Sequence, residues 1–307
     1  MTKLTPQALV QIIKESASAW VDDRAASMGA ALAFYSAFSL APLLIIAIAV
    51  AGLAFGEEAA RGAITSQLSG LMGTEGASAV QTMLTASKNQ PEHGIFASII
   101  AVFTLWLGAT SVFVELQDDL DRIWRAKPSL ESGVINFIRT RLLSFGMVLG
   151  IGFLLLVSLI VSSVLAAFTE SWGQYLPSMT FLLYLINFTI SFVVTTALFA
   201  MIYKLLPNVE IDWHDVWIGS AVTSLLFNIG RAAIGLYLGQ SATASTYGAA
   251  GAFVVLLLWL YYSAQIFLLG AEFTWIYANR FGSRAGRTDS ANPQTVESKP
   301  NLVVNQG

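Results

Sequence analysis

Six stretches of the chain are each long and apolar enough to cross a membrane, and they constrain the fold more than any other feature. A membrane-spanning helix needs about 20 mainly apolar residues. In lipid the backbone polar groups must be satisfied within the protein, so we predict that the six spans are helices. The fold class is therefore all-α, a polytopic six-helix transmembrane bundle. The predicted spans are residues 31–55, 95–114, 142–168, 180–203, 216–238 and 250–277.

The composition agrees with a membrane protein and excludes several kinds of site. The 307 residues are 55% hydrophobic and 11% charged, whereas soluble domains carry about 25% charged residues. The chain has no cysteine, which excludes disulfides and thiolate metal ligands. Its net charge of −3 gives no overall attraction to nucleic acid. We expect no cofactor, no metal and no nucleic-acid partner, and we expect the first span to be retained rather than cleaved as a signal peptide.

Lysine and arginine lie mainly on one side of the predicted spans. Of the 16 such residues, 13 fall in the N-terminal segment, in the second-to-third and fourth-to-fifth connections, and in the C-terminal tail. The opposite side holds only Arg61 and Lys88, and Arg231 lies inside the fifth span. Because cytoplasmic loops carry the excess of positive charge, both termini are predicted to be cytoplasmic.

The segments outside the spans have their own patterns. Residues 1–30 contain Leu9, Ile12, Ile13, Ala17 and Trp20 at helical spacing, which predicts a cytoplasmic amphipathic helix. That helix either lies on the inner membrane surface or packs beneath the bundle. Residues 31–280 form the membrane domain, and residues 281–307 are polar and aperiodic, as is typical of a disordered tail.

A long connection at residues 56–94 separates the first two spans. It contains two helix-like stretches, residues 64–72 and 77–86, with the sequence GTEG between them. Because loops of this length are usually structured or functional, we predict a small helical cap over the outer face.

The connection after the second span combines an apolar stripe with acidic residues. Leu116, Leu120, Ile123 and Trp124 form the stripe, which predicts that the helix continues beyond the membrane. Clustered carboxylates can hold a divalent metal, but basic residues lie beside these and we interpret them as a solvated helix face. The acidic residues are Glu115, Asp118, Asp119 and Asp121.

Polar residues recur on one side of several predicted spans. In the fifth span, Ser220, Ser224, Asn228 and Arg231 follow steps of three or four, which places them on one helix face. We predict that such faces line a polar cavity that binds a substrate. The alternative is that these groups only hydrogen-bond neighbouring helices. The candidate residues are Arg231, Asn228, Asn187, Gln265, Glu272, Tyr261, Tyr262, Ser224 and Tyr35.

Depth separates the two charged candidates. With a rise of 1.5 Å per residue, Arg231 lies roughly 22 Å and Glu272 roughly 8 Å from the inner ends of their spans. A direct salt bridge between them is therefore not expected. Arg231 is predicted to meet Asn187, Tyr261 or Tyr262. Glu272 is predicted to reach Lys204, interfacial water or a helix N-terminus.

Four stretches, taken together, carry a resemblance to a known family. AASMGAALAFYSAFSLAPLLIIAIAV is followed in order by GATSVFVELQDDLDRIWRAKP, LLPNVEIDW and LLWLYYSAQIFLLGAE. They resemble the YihY/BrkB family of bacterial inner-membrane proteins, over nearly the whole span region. The resemblance implies a six-span inner-membrane protein, and it provides no established catalytic residues to assign to this chain. Some members were labelled ribonuclease BN, others virulence-associated serum-resistance factors, and roles in transport or envelope lipids have been suggested.

The function these observations favour is transport or translocation of a lipid or an anionic solute through the polar cavity. A non-catalytic envelope assembly or scaffold protein is the alternative, and a ribonuclease fits least. We therefore expect no enzyme activity, and we expect the lipid bilayer and a lipid or anionic small molecule as partners. The GMVLG stretch at residues 146–150 allows close helix approach. Packing within the bundle is our interpretation of it, and a homodimer is the open alternative.

Overall fold

The computed structural model describes residues 6–88, 111–126, 177–240 and 249–285. All regular secondary structure in these ranges is helical, so the all-α prediction is confirmed for them. The predicted third span, most of the second span and the tail beyond residue 285 lie outside the described residues. In chain order the helices are α1 Pro6–Asp22, α2 Ala25–Phe55, α3 Glu57–Lys88, α4 residues 111–123, α5 Pro177–Leu205, α6 Trp213–Gln240 and α7 Ala249–Arg280.

Helix α7 is the element around which the described helices are arranged. It packs against α1, α2, α3 and α6. Its apolar residues are buried on several sides: Leu256 packs in a cluster with α2 and α3, and Leu268 packs in a second cluster with α2, α4, α5 and α6. A helix that is apolar nearly all round is buried in a bundle or in a membrane, and α7 is in contact with neighbours along most of its length.

Small residues bring α6 and α7 into close contact. A Cβ atom at Gly270 of α7 would lie 2.0 Å from Thr223 Oγ1, and one at Gly219 of α6 would lie 1.8 Å from Thr274 Oγ1. Tyr203 of α5 donates a hydrogen bond from its hydroxyl to the carbonyl of Phe267, at 2.7 Å. Glycines at a helix interface allow the backbones to approach and let polar side chains cross-link the helices.

The connection after α2 differs from its prediction. The sequence predicted two helical stretches with GTEG between them, whereas α3 runs as one helix from Glu57 to Lys88 and includes GTEG. Packing explains the continuity. Val80 and Leu84 of α3 are buried in a cluster with Leu44 of α2 and Leu256 of α7, and this burial offsets the low helix propensity of the glycines.

Helix α1 packs beneath the C-terminal part of α7. Ile12 is fully buried and contacts the cluster formed by Phe273, Ile276 and Tyr277. Two other members of the predicted stripe, Leu9 and Ile13, are exposed. The structure therefore confirms packing for Ile12 and leaves an apolar strip of α1 on the protein surface.

Two stretches within the described helices, Phe188–Leu205 and Phe253–Arg280, are long and apolar enough to cross a membrane, and Ala25–Leu40 is a shorter apolar segment. Helix α2 already begins at Ala25, ahead of the predicted span start at residue 31. Large apolar side chains also point outward on α2, α5, α6 and α7, which is typical of surfaces that meet lipid. They include Phe34, Phe38, Leu185, Phe188, Val193, Leu225, Ile229, Val254 and Leu258.

The close contact between α6 and α7 predicts that Gly270→Ala destabilises the fold by about 1–3 kcal/mol, because the added methyl overlaps the Thr223 side chain. Gly62→Ala in α3 is the matched control, since nothing lies within 4 Å of a Cβ atom there. Thermal unfolding of detergent-solubilised protein measures both. Equal unfolding temperatures for the two variants would contradict the close packing.

Candidate functional site

Three predicted site residues lie along α6 and face its neighbours to different degrees. Ser224 is buried and donates a hydrogen bond to the Phe192 carbonyl of α5, at 3.4 Å. Asn228 is half-buried, and its Nδ2 donates to the Ser224 carbonyl at 2.8 Å. Arg231 is half-buried one turn further along. Ser224 thus links α6 to α5, whereas the hydrogen bond from Asn228 Nδ2 stays within α6.

Tyr262 lies beside the turn of α6 that carries Arg231. A Cβ atom at Gly230 would lie 2.1 Å from the Tyr262 hydroxyl, so α6 and α7 touch at this level. Tyr261 of α7 is half-buried. The structure therefore brings Tyr262 next to the Arg231 turn.

The remaining candidates on the outer and middle levels do not gather in one place. Gln265 of α7 packs on Gly29 of α2, and its Nε2 lies 3.4 Å from the Ala26 carbonyl. Tyr35 of α2 is half-buried, with its ring 5.8 Å from that of Phe34. Asn187 lies on α5, but its side chain is outside the described part.

Glu272 is the most deeply buried of the candidates. Its side chain is fully buried, and neither carboxyl oxygen has a hydrogen-bond partner among the described residues. It faces the carboxyl group of Asp23 and the guanidinium group of Arg125. Lys204, one of the expected partners, instead donates to the Ile211 carbonyl and lies 5.8 Å from the ring centroid of Trp213.

Asp23, Arg125 and Glu272 form what we call the charge cluster, in which Asp23 and Glu272 are buried and Arg125 is exposed. Arg125 Nη1 donates to Asp23 Oδ1 at 2.7 Å, and Asp23 Oδ2 has no hydrogen-bond partner among the described residues. The Arg125 guanidinium carbon also lies 5.5 Å from the Trp275 ring centroid, within the range of a cation–π contact. The cluster therefore joins the α1–α2 connection, the end of α4 and α7.

Two turns with left-handed backbone place the cluster members. Arg24, between α1 and α2, has φ 57°, and Arg125, after α4, has φ 52°. Residues other than glycine seldom adopt positive φ. At Arg24 the chain turns between α1 and α2, next to Asp23, whose carboxyl group faces Glu272 of α7. At Arg125 it ends α4 and directs the guanidinium group to Asp23.

The acidic residues of α4 are only partly a solvated face. Asp118 is exposed, as predicted. Asp119 is buried, and burial raises its pKa to about 7, with further increases from Glu115 and Asp118 and a partial offset from Arg122. The interpretation as a solvated face is therefore wrong for Asp119. Groups of three or more side chains suited to a metal ion do not occur in the described ranges.

Two further carboxylates hold connecting segments in place. Asp121 accepts hydrogen bonds from the backbone N–H of Asn208 at 2.6 Å and from its Nδ2 at 2.7 Å. Asp215 is buried and accepts from the backbone N–H and the hydroxyl of Ser283, at 2.9 and 2.7 Å. These contacts tie the ends of α4, α5, α6 and α7 together.

Sequence reasoning did not identify Asp23 and Arg125 as members of the charge cluster, or Asp215 as a buried hydrogen-bond acceptor. The polar Asp22–Asp23–Arg24 break between two helical patterns was a usable signal, because it marks a turn next to the membrane. Helical spacing could not predict the contact of Asp23 with Glu272, because the two residues are far apart in the chain.

Comparison with known proteins gives consistent matches. A family model described as Virulence factor BrkB matches residues 16–295. A UPF0761 membrane protein of Rhodospirillum centenum is 27% identical over 303 residues, which cover 96% of this chain and 63% of that protein. One from Pseudoalteromonas translucida is 29% identical over 263 residues, covering 83% of this chain and 81% of that protein.

The chain is shorter than several of these relatives. It spans 63% of the Rhodospirillum centenum protein and 55% of a UPF0761 membrane protein of Ralstonia nicotianae, which is 29% identical over 254 residues covering 81% of this chain. No solved structure matches the chain.

The burial of Asp119 predicts a pH-dependent stability. Its folded pKa of about 7 exceeds the ordinary value of 3.8, so the folded protein binds more protons than the unfolded chain between these pH values. The free energy of unfolding contributed by this group therefore falls as the pH rises through that window. Asp119→Asn should flatten this slope and stabilise the protein above about pH 7.

Thermal unfolding across this pH range measures the effect in detergent. Asp118→Asn, on the same helix but exposed, is the control and should change the slope less. An unchanged slope in Asp119→Asn would show that Asp119 does not titrate in this window.

Proposed function

The chain belongs to the Virulence factor BrkB family and is a membrane protein, and we propose that it moves a lipid or an anionic solute across the bilayer. In this proposal six helices span the bacterial inner membrane and both termini are cytoplasmic. The N-terminal helix lies at the inner surface, and residues 56–94 contribute a cap on the outer side. The proposed protein is a transporter rather than an enzyme.

Contacts between the two ends of the chain support an even number of spans. Helix α1 packs on the C-terminal part of α7 through Ile12 and Tyr277, and Glu15 pairs with Arg280. The segment before the first predicted span and the end of the last one therefore lie at the same end of the bundle. Together with the excess of lysine and arginine on that side, this favours cytoplasmic termini.

Arg231 is the observation that carries the transport proposal. It is half-buried within α6, roughly 22 Å from the inner end of the predicted span, and its neighbours Leu225 and Ile229 are exposed apolar residues. An arginine at such a depth costs about 2.5–3.5 kcal/mol on insertion. Its planar guanidinium can bind a phosphate or carboxylate through two hydrogen bonds. Binding of an anionic substrate therefore explains why an arginine lies at this depth.

Polar groups on the same face support a path for such a substrate. Ser220 and Ser224 are fully buried below Arg231, and Ser220 Oγ has no hydrogen-bond partner among the described residues. Gln265 Oε1 on the neighbouring α7 likewise has none in the described part of the chain. Polar atoms with unused hydrogen-bonding capacity along two adjoining helices suit an anionic or zwitterionic ligand that passes between them.

Substitution of Arg231 tests the proposal in proteoliposomes. Two assays run in parallel: movement of a fluorescent anionic phospholipid between leaflets, and efflux of a small organic anion. Arg231→Ala should reduce the rate of substrate movement at least about tenfold in the assay where wild type is active. The reason is that loss of one charge-assisted hydrogen bond weakens binding by about this factor. Arg231→Lys should keep part of the activity, because it retains the charge but loses the bidentate geometry. Arg61→Ala, which removes an arginine paired with Glu57 on α3, is the control and should keep full activity.

The outcomes separate the alternatives. Wild-type movement that Arg231→Ala leaves unchanged would exclude Arg231 as the binding residue. Absence of movement of either substrate, with specific partners captured by crosslinking, would favour the scaffold role. Degradation of tRNA by purified protein, lost on substitution of Asp118, Asp119 and Asp121, would favour the ribonuclease label.

A further inference from the structure

We propose that Glu272 and Asp23 form a proton-binding site in which their carboxyl groups share one proton. The site is separate from Arg231 and goes beyond the proposed function, because proton binding can be measured without any transport. It rests on three observations: the contact of the two carboxyl groups, the hydrogen bonding of their oxygen atoms, and the charge balance of the charge cluster.

The carboxyl oxygens of Asp23 and Glu272 have the unused hydrogen-bonding capacity to share one proton. Asp23 Oδ1 accepts the hydrogen bond from Arg125, whereas Asp23 Oδ2 and both carboxyl oxygens of Glu272 have no hydrogen-bond partner among the described residues. The side chains of Glu272 and Asp23 are within hydrogen-bonding range of each other. Two ionised carboxylates have no donor between them, but a proton on Glu272 lets its hydroxyl donate to Asp23 Oδ2.

The charge balance points to the same proton. With both carboxyl groups ionised, Asp23, Glu272 and Arg125 would hold one uncompensated negative charge. Glu272 is fully buried and Asp23 is 9% exposed, so this charge would lie away from water, where an unpaired ion is costly. One bound proton makes the cluster neutral, and two close carboxyl groups that share a proton are a recurrent arrangement in proteins.

Among the described residues, charged groups on the surrounding elements do not replace the proton. Asp22, at the end of α1, also faces Glu272, and it adds negative charge at an exposed position. On α5, Lys204 donates to the Ile211 carbonyl, and on α6, Asp215 accepts from Ser283. Arg24, at the start of α2, is exposed.

Release of the proton would act on the packing of three segments. The α1–α2 connection, the end of α4 and α7 meet at this cluster, and two ionised carboxylates would repel each other there. Deprotonation therefore favours separation of Asp23 from Glu272 or entry of water between them. The cluster is positioned to couple proton binding to the docking of α1 and α4 on α7.

Infrared difference spectroscopy across a pH titration tests the site on the full-length protein in detergent, in an Asp119→Asn background because the pKa of Asp119 is also about 7. Ordinary carboxyl groups titrate at about pH 4, so this Asp119→Asn reference protein should show a protonated carboxyl band at about pH 7 that disappears at higher pH. Glu272→Gln, which keeps the shape and is neutral, should remove this band. Asp23→Asn should move its midpoint about 1–3 pH units lower, because the like charge that favours the proton is gone. Glu58→Gln, at an exposed position on α3, should leave the band unchanged.

Three results would overturn the site. These are absence of a titrating band near neutral pH in the Asp119→Asn reference protein, persistence of the band when folded Glu272→Gln is added to it, and an unchanged midpoint when Asp23→Asn is added to it. Loss of the band when sodium replaces choline at constant pH would show a sodium site instead. Circular dichroism confirms that each variant is folded. The infrared measurement does not depend on transport, so the activity of Arg231 variants does not affect its result. The proton-binding site and the transport proposal can therefore be disproved independently.

Discussion

A carboxyl group inside an apolar helix must be neutralised, paired or hydrogen-bonded, because water is not available to solvate it. Glu272 imposes this requirement on α7, the helix that contacts most of the other described helices. The protein meets it with residues from two distant segments, Asp23 and Arg125. The geometry of the α1–α2 turn and of the end of α4 follows from the need to bring them there.

The opposite side of α7 is shaped by a different constraint, the space between backbones. Gly270 faces Thr223, and Gly219 of α6 faces Thr274, so α6 and α7 approach closely and the hydroxyl of Tyr203 reaches the α7 backbone. Close packing fixes α7 against α5 and α6, whereas a charge cluster holds it against the α1–α2 turn. One helix thus combines a rigid contact with one whose strength depends on ionisation.

The elements that could be predicted from the sequence are those set by local pattern. The apolar runs that predicted four of the spans correspond to α2, α5, α6 and α7, because the length of a run and its lack of charge are local properties. The stripe Leu120, Ile123 and Trp124 packs in the core as its spacing predicted. The continuity of α3 was missed because propensity marked its glycines as breaks, whereas burial of Val80 and Leu84 stabilises the helix through them.

The candidate site was less predictable. Helical spacing assigned faces to Ser224, Asn228 and Arg231, but not the neighbours those faces would meet. The partners of Glu272 depend on positive φ at Arg24 and Arg125, which no residue type in the sequence requires. Asp119 was assigned to solvent because charged neighbours surround it in sequence, yet the packing of α4 buries it.

The central claim is that Glu272 is stabilised by direct interaction with Asp23, and a double-mutant cycle tests it most directly. Unfolding free energies in detergent would be compared for wild type, Asp23→Asn, Glu272→Gln and the double variant. Direct contact predicts an interaction free energy of about 0.5–3 kcal/mol between the two sites. Additive effects within experimental error would contradict it, because residues without shared contacts behave independently.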